Sequence, residues 1–195
     1  MKKLLVSGFD PFGGESINPA WETVKLLPGQ IGDHTLEKVM VPTVYGEAGE
    51  TLIRKYEEIR PDAVIMVGQA GGADSVRAEV VAVNIRDARI PDNKGNQPWD
   101  VPVVKDGPNA YFSSMPLHDI VPKMIGEGLN IRLSYSAGTF VCNDIYYTAC
   151  HYLSGGSVKA CFIHVPYLPE QAGEKYPSMT QGEMISVITR FIELI

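Results

Sequence analysis

Cys142 is the first candidate for chemistry in this sequence of 195 residues, because its thiol directly precedes a predicted helix. The segment Ser136–Asn143 follows a strand predicted over residues 131–134 and opens a helix predicted over residues 143–153. The positive end of a helix dipole favours a thiolate, which is the nucleophilic form of cysteine. The alternative is a structural role, since free cysteine is among the most buried residue types and usually packs as a small hydrophobe. Cys142 is therefore a candidate nucleophile, provided that a base lies nearby.

The other two cysteines, Cys150 and Cys161, are predicted to be structural. Cys150 falls in the middle of the predicted helix, and Cys161 falls in an apolar segment predicted to be a strand over residues 158–165. Both positions favour burial. Three cysteines without a CxxC pair form neither a disulfide framework nor a zinc site.

His164 is the candidate base among the four histidines, because it lies at the end of that apolar strand. In open α/β sheets the active crevice lies beyond the carboxyl ends of the strands. A right-handed crossover from the helix after Cys142 into a parallel strand would bring His164 to the same edge of the sheet. The other histidines are predicted to be surface or capping residues: His34, His118 and His151.

Glu79 is the candidate for orienting the imidazole, a task that a third group performs in nucleophilic sites of this kind. The segment 68–78 is short for a parallel crossover, so a strand predicted over residues 80–85 should run antiparallel to the strand predicted over residues 62–67. Glu79 then lies at the carboxyl end of the preceding strand, on the edge expected to carry the thiol and the imidazole. The alternative interpretation of Glu79 is a solvated acid at a strand end.

Apolar segments alternate with amphipathic segments along the chain, which predicts an α/β sheet covered by helices in a single domain. The predicted strands are residues 3–7, 36–41, 62–67, 80–85, 131–134 and 158–165. The predicted helices are residues 19–27, 47–59, 117–127, 143–153 and 181–194. Residues 86–115 form a long polar, proline-rich segment. Such a long loop is uncommon inside a compact domain, so we predict that it forms a lid or a subunit contact.

Composition and missing motifs exclude several classes of function. The excess of 23 acidic over 17 basic residues gives a net charge of −6, whereas a protein that binds nucleic acid usually has the opposite balance. No apolar segment approaches the ~20 residues of a membrane span, and the N-terminal apolar run is shorter than the roughly 7–15 residues of a secretory signal, so a cytoplasmic location is expected. The P-loop, HExxH and GxSxG patterns are absent. Gly8–Gly14 lacks the GxGxxG spacing of a dinucleotide site.

Five segments resemble those of the pyroglutamyl peptidase type I family, also called pyrrolidone carboxyl peptidase. In chain order they are Gly8–Gly14 with Asn18-Pro19, Gly68–Gly72, Asp87–Asn93, Ser136–Asn143 and Phe162–Tyr167. They cover nearly the whole chain, and several are long and chemically unusual. The resemblance implies a single domain over residues 1–195, folded as a three-layer α/β/α sandwich with a mixed, mostly parallel sheet.

The resemblance also implies an activity: a cytoplasmic cysteine exopeptidase that releases pyroglutamate from peptides with an N-terminal pyroglutamyl residue, without a metal or cofactor. No nucleic-acid or membrane partner is expected, and a homo-oligomer is expected because the family often assembles as a tetramer. The Cys–His–Glu triad of the family falls on Cys142, His164 and Glu79. The residues that the resemblance places around the substrate are Phe9, Phe12, Asn18, Gln69, Arg89, Ile90, Phe140 and Val141.

Within that set, Phe9 and Phe12 would sandwich the lactam ring and Asn18 would form a hydrogen bond with it. The sequence departs from the family pattern at Ala73 and Val80, where arginine is common, although Arg77 places a positive charge between them.

Two other functions fit the same fold class. A phosphate-binding transferase of the nucleoside type would use the glycine turns and helix N-termini and would not need Cys142. A non-catalytic binding module would show affinity without turnover, and the complete Cys–His–Glu set argues against it.

Overall fold

The computed structural model describes residues Met1–Ile195 and contains a seven-stranded sheet with helices on both faces. The strands are β1 (Lys2–Phe9), β2 (Gln30–Ile31), β3 (His34–Val41), β4 (Ala63–Gln69), β5 (Val76–Glu79), β6 (Val81–Val83), β7 (Ala110–Phe112), β8 (Ile131–Ser134) and β9 (Lys159–Val165). The helices are α1 (Pro19–Leu26), α2 (Glu47–Ile59), α3 (Leu117–Gly126), α4 (Val141–Tyr152), α5 (Pro169–Ala172) and α6 (Gln181–Glu193). None of these helices combines the length and the apolar character that crossing a membrane requires.

The large sheet has the strand order β2-β3-β1-β4-β9-β5-β8. Strands β3, β1, β4 and β9 run parallel to one another, whereas β2 pairs antiparallel with β3. Strand β5 pairs antiparallel with β9 and parallel with β8. The α/β fold with a mixed, mostly parallel sheet is therefore confirmed.

The alternation of side chains along the central strands produces the three layers. On β1, Leu4 and Val6 pack with α1, α3 and α6, while Leu5 faces the other way and packs with α2 and α4. On β9, Phe162 belongs to the core under α2 and α4. Because side chains two residues apart on a strand share a face, His164 points towards the same layer as Phe162.

Local sequence signals set the ends of two helices as predicted. Asn18 caps α1 by accepting a hydrogen bond from the N–H of Ala20 at 3.0 Å, with Pro19 in the first helical position, where its missing N–H is tolerated. Helix α2 ends at Ile59, and its C-cap Arg60 adopts the left-handed conformation with φ 48° directly before Pro61.

The strand predicted over residues 80–85 is shorter than predicted and lies outside the large sheet. Residues 76–79 form β5 in the large sheet, whereas residues 81–83 form β6 in a separate two-stranded sheet with β7. The antiparallel direction predicted for residues 80–85 is found for β5 instead, and β5 pairs with β9, which lies between it and β4. Glu79 is therefore the last residue of β5, level with Phe162 and Met66, and not at the start of the following strand as predicted.

The long segment 86–115 contains β7 and is held against the body of the protein by hydrogen bonds. Asp92, which is 6% exposed, accepts backbone N–H groups from Tyr45, Lys94 and Asn96. The predicted role of segment 86–115 as a lid or a subunit contact stays a prediction.

Candidate active site

Glu79 and His164 meet on adjacent antiparallel strands. The register pairs Glu79 of β5 with Phe162 of β9, and Arg77 with His164. Opposed residues of an antiparallel pair share a face, so the Glu79 carboxylate lies diagonally next to the imidazole. Its Oε1 is 2.7 Å from Nδ1 of His164, and both residues are buried. A carboxylate at this distance fixes the tautomer and the orientation of the ring.

Cys142 is the second residue of α4, which begins two residues earlier than the sequence predicts. The first intrahelical hydrogen bond runs from the N–H of Asp144 to the carbonyl of Phe140. The N–H groups of Val141, Cys142 and Asn143 therefore have no intrahelical acceptor and remain able to donate to a bound group. This helix end favours negative charge both on the thiol and on a neighbouring oxygen.

Gly68 lets the helix end approach the sheet closely. A Cβ atom at Gly68 would lie 2.9 Å from Sγ of Cys142 and 2.6 Å from Cζ of Phe162. Because real Cβ atoms do not come so close to a sulfur or a ring carbon, only glycine fits at this point of β4 without displacing the thiol.

The chain reaches this position by a route that differs from the predicted crossover. Strand β8 runs antiparallel to β9, with β5 between them, so the predicted parallel connection is wrong. Ser134, the last residue of β8, lies level with Glu79, and residues 135–140 carry the chain back to the edge of the sheet. Hydrogen bonds fix this return: Thr139 Oγ1 donates to the carbonyl of Asp87 at 2.7 Å, and the Tyr45 hydroxyl donates to the carbonyl of Thr139 at 3.2 Å.

The imidazole of His164 is held in its charged form. Burial alone would lower the pKa of His164, but the interactions with Cys142 and Glu79 outweigh burial and raise it to about 9. At neutral pH the ring is therefore an imidazolium. Since Glu79 holds Nδ1, the proton that can be transferred is the one on Nε2.

A cavity of about 360 Å³ opens around these three residues. Most of the other lining residues come from the segments that the sequence singles out: Phe9, Phe12, Asn18, Gln69, Ala70, Gly71, Arg89, Ser136, Ala137, Gly138 and Phe140. Thr43 and Arg77 complete the lining. Ile90 and Val141 are not part of this lining: Ile90 is 47% exposed, and the side chain of Val141, the first residue of α4, is buried in the core.

Aromatic rings form one side of the cavity. The ring centroids of Phe12 and Phe140 are 6.1 Å apart, and the Tyr45 ring packs edge-on against Phe140 at 5.5 Å. This wall suits a flat, uncharged ring.

Asn18 has a structural role in addition to lining the cavity. Its Oδ1 caps α1, and its Nδ2 donates to the carbonyl of Asp10 at 2.9 Å. One amide hydrogen remains for a ligand.

Two buried polar atoms in the lining have no hydrogen-bond partner: Nε of Arg77 and Oε2 of Glu79. For Arg77 there was one sequence signal, its charge in a segment where the family arginines are missing. There was no signal for Thr43, which reaches the cavity from the end of β3 and whose N–H donates to Asp10 Oδ1.

The remaining cysteines and histidines lie outside the cavity. Cys161 is fully buried, and burial raises the pKa of Cys150 to about 12. His34 is buried at the start of β3, which corrects its predicted position in a surface loop. His151 forms a hydrogen bond of 2.8 Å with the hydroxyl of Tyr111. No three His, Cys, Asp or Glu side chains are grouped as a metal site would require.

Comparisons with known proteins find close similarity along the chain. The model of a family described as pyroglutamyl peptidase matches residues 2–195. A pyrrolidone-carboxylate peptidase of Enterococcus faecalis is 51% identical over 175 residues, which is 89% of this chain and 82% of that protein. One from Bacillus cereus is 48% identical over 197 residues, covering 100% of this chain and 91% of its own length.

Solved structures give the same result. The crystal structure of pyroglutamyl peptidase I from Bacillus amyloliquefaciens superposes with a TM-score of 0.95 at 40% identity, covering 99% of this chain and 96% of that one. A mutant pyrrolidone carboxyl peptidase from Pyrococcus furiosus superposes with a TM-score of 0.93 at 41% identity, covering 98% and 97% of the two chains.

Proposed function

Because the chain belongs to the pyroglutamyl peptidase family, we propose that it is a cysteine exopeptidase that hydrolyses the bond after an N-terminal pyroglutamyl residue. The observation that carries the proposal is the 2.7 Å hydrogen bond between Glu79 and His164, in a cavity that also exposes Cys142 to a ligand. A nucleophile, a base and a group that orients the base are the parts that acyl transfer through a covalent intermediate requires.

The proposed reaction has two steps. The Cys142 thiolate attacks the pyroglutamyl carbonyl, the C–N bond breaks, and the imidazolium of His164 gives its Nε2 proton to the leaving amine. Water then attacks the resulting thioester while His164 takes one of its protons, and the C–S bond breaks to release pyroglutamate. The N–H groups at the start of α4 donate to the oxyanion in both steps.

Selectivity for the lactam follows from the lining. A pyroglutamyl ring is uncharged at nitrogen and carries a carbonyl, whereas a prolyl ring carries a charged amine and lacks that carbonyl. Moving the prolyl cation against Phe12 and Phe140 is unfavourable, and Asn18 would lose a hydrogen-bond acceptor. Sites built to hydrogen-bond their substrate discriminate by roughly 10⁴-fold or more in kcat/KM, and we expect a ratio of about that size here.

The test compares pyroglutamyl and prolyl amides of one fluorescent amine. We expect hydrolysis of the first and a kcat/KM about 10⁴-fold lower for the second. Asn18→Ala would remove the helix cap as well as the amide, so Asn18→Ser is the better variant because its hydroxyl still caps α1. Asn18→Ser should narrow the ratio and lower the melting temperature by only roughly 2–4 °C, because serine keeps the cap and loses the hydrogen bond to the carbonyl of Asp10. Comparable hydrolysis of both amides would refute the proposed recognition of the lactam by this cavity. Resistance of the activity to thiol alkylation would favour the transferase alternative.

The assembly and the location of the protein belong to the same proposal. A homotetramer, as the resemblance implies, would cover exposed apolar side chains such as Trp99 and Phe112, which are 78% and 72% exposed. Light scattering on the purified protein tests this assembly. A cytoplasmic location suits an enzyme whose nucleophile is a reduced thiol, and cell fractionation with an antibody to this chain tests it.

A further inference from the structure

The residues of the cavity floor follow one row across the sheet. The register pairs Gly68 of β4 with His164 of β9, and His164 with Arg77 of β5. On the other side of Gly68, the pairing of Gly8 with Val67 places Phe9 next in the row. Since neighbouring strands lie about 4.8 Å apart, Phe9 and Arg77 are separated by three strand spacings, and the Cys142 thiol lies above the Gly68 position between them.

The order of residues along this row indicates where the acyl part and the leaving part of the substrate lie. The aromatic residues that suit the lactam lie on the β1 side of Cys142, so the acyl part of the substrate occupies that side. The leaving amine and the residue that carries it must then lie on the β9 and β5 side, where His164 delivers its proton. Arg77 is the charged side chain at the end of the row that belongs to the cavity lining.

Arg77 is available to a ligand. Its Nε is buried without a hydrogen-bond partner, and its guanidinium forms none of the ion pairs of the structure. Glu79 is the sole carboxylate in the lining, and its Oε1 is engaged by His164. Although the chain carries a net charge of −6, Arg77 places a positive charge without an ion-pair partner on the leaving side of this cavity.

We propose that Arg77 binds a carboxylate of the residue that follows pyroglutamate, which makes the protein selective for substrates that present a carboxylate there. The inference rests on the proposed function and adds the chemistry of the leaving side. A guanidinium donates two parallel N–H groups to a carboxylate, an arrangement that a neutral carbonyl does not match. The carboxylate has two sources: the C-terminus of a pyroglutamyl dipeptide, or the side chain of a second residue that is Asp or Glu.

Two pairs of substrates separate these sources. The first pair is pyroglutamyl-alanine and its C-terminal amide, which differ in the main-chain carboxylate. The second pair is the C-terminal amides of pyroglutamyl-glutamate and pyroglutamyl-glutamine, which differ in the side-chain carboxylate. The release of pyroglutamate gives kcat/KM for each. We expect the acidic member of at least one pair to exceed its neutral partner by about tenfold, the size of effect typical of a single charge-assisted contact.

Arg77→Gln should reduce that ratio to below about twofold, and Arg77→Lys should keep part of it because the charge remains. The matched control is Arg132→Gln. Arg132 is the register partner of Arg77 on β8, but it is bound to Asp74 at 2.7 Å and lies outside the cavity lining. Its substitution should leave both the ratio and the activity unchanged.

Two results would overturn the proposal. One is the absence of a preference within either pair. The other is a loss in Arg77→Gln that is equal for the acidic and neutral members, which would instead make Arg77 a support for the free Oε2 of Glu79. Failure of the proposed function is a different result, since then no pyroglutamyl substrate, neutral ones included, would be hydrolysed.

Discussion

Replacing Glu79 with glutamine removes the negative charge next to the His164 imidazolium and changes the shape of the site very little. Glutamine retains an amide oxygen that can accept the Nδ1–H of His164, so the ring should keep its position. What changes is the stabilisation of the charged ring by a carboxylate 2.7 Å away. The experiment therefore isolates electrostatics from geometry.

The size of the effect follows from the structure. The pKa of His164 is raised from 6.5 to about 9 against the opposing effect of burial, with Glu79 and Cys142 as the causes. A hydrogen bond to a charged group contributes about 1.5–3 kcal/mol, and one pH unit corresponds to about 1.4 kcal/mol. We therefore expect Glu79→Gln to lower the pKa of His164 by about 1–2 pH units.

The pH profile of kcat/KM measures this change. In the unmodified protein, activity should fall on the alkaline side near pH 9, where the imidazolium loses its proton. In Glu79→Gln the alkaline limb should move towards neutral pH, and kcat at pH 7 should fall by less than the roughly 10²–10⁴-fold expected of His164→Ala, which removes the base itself. An alkaline limb at the same pH in both proteins would show that Glu79 does not stabilise the imidazolium.

The free energy of unfolding should depend on pH through the charge of His164. Because the folded state raises the pKa of His164, the stabilisation is complete below about pH 6.5 and disappears as the pH rises through about 9. Urea denaturation should therefore separate the unmodified protein from Glu79→Gln at pH 6 and show little difference near pH 10.

Cys142→Ala is expected to abolish hydrolysis, whereas Cys150→Ala should retain it, because the Cys150 thiol is buried with a pKa raised to about 12. Iodoacetamide should inactivate the protein in proportion to the modification of Cys142 measured by mass spectrometry, and activity near normal in Cys142→Ala would disprove its role. Gly68→Ala would place a methyl group 2.9 Å from Sγ of Cys142 and should lower kcat by up to about 10²-fold, the effect of displacing a reacting atom by about 1 Å. Circular dichroism must show that this variant folds, and unchanged kcat in a folded Gly68→Ala protein would mean that the thiol position tolerates the displacement.

Sequence patterns predicted the elements whose signals are local. Helix α2 begins and ends where its amphipathic pattern does, because Pro61 and the preceding left-handed residue stop it. Strand β8 has the predicted bounds. The fold class followed from the alternation of such elements.

The sequence did not predict which sheet, or which neighbour, each strand joins. Residues 76–83 are apolar except for Arg77 and Glu79, yet the chain leaves the large sheet after Glu79 and enters the small one at Val81. Pairing of this kind depends on contacts with β9, more than 80 residues away, which periodicity cannot encode. For the same reason the predicted route from Cys142 to His164 was wrong although the two residues line one cavity.

Resemblance and structure also differ on single residues of the pocket. Ile90 and Val141 were expected to bind substrate, and neither residue belongs to the cavity lining, because a matching segment does not specify which of its side chains point inwards. Their contact with substrate stays a prediction. Arg77 shows the converse. Its place opposite His164 depends on the antiparallel register of β5 and β9, and the sequence contains no sign of that register.

The position of β9 between β4 and β5 has a consequence for how the chain folds. Strands β4 and β5 are separated by only six residues in sequence, yet the strand that joins them is the last of the nine to be synthesised. Until residue 165 is available, a growing chain exposes an unpaired edge on each of these strands, and open edges of this kind promote aggregation. Pairings between distant segments also form slowly. Recovery of activity during refolding should therefore coincide with closure of the central sheet, since insertion of β9 both completes the sheet and brings His164 to Glu79.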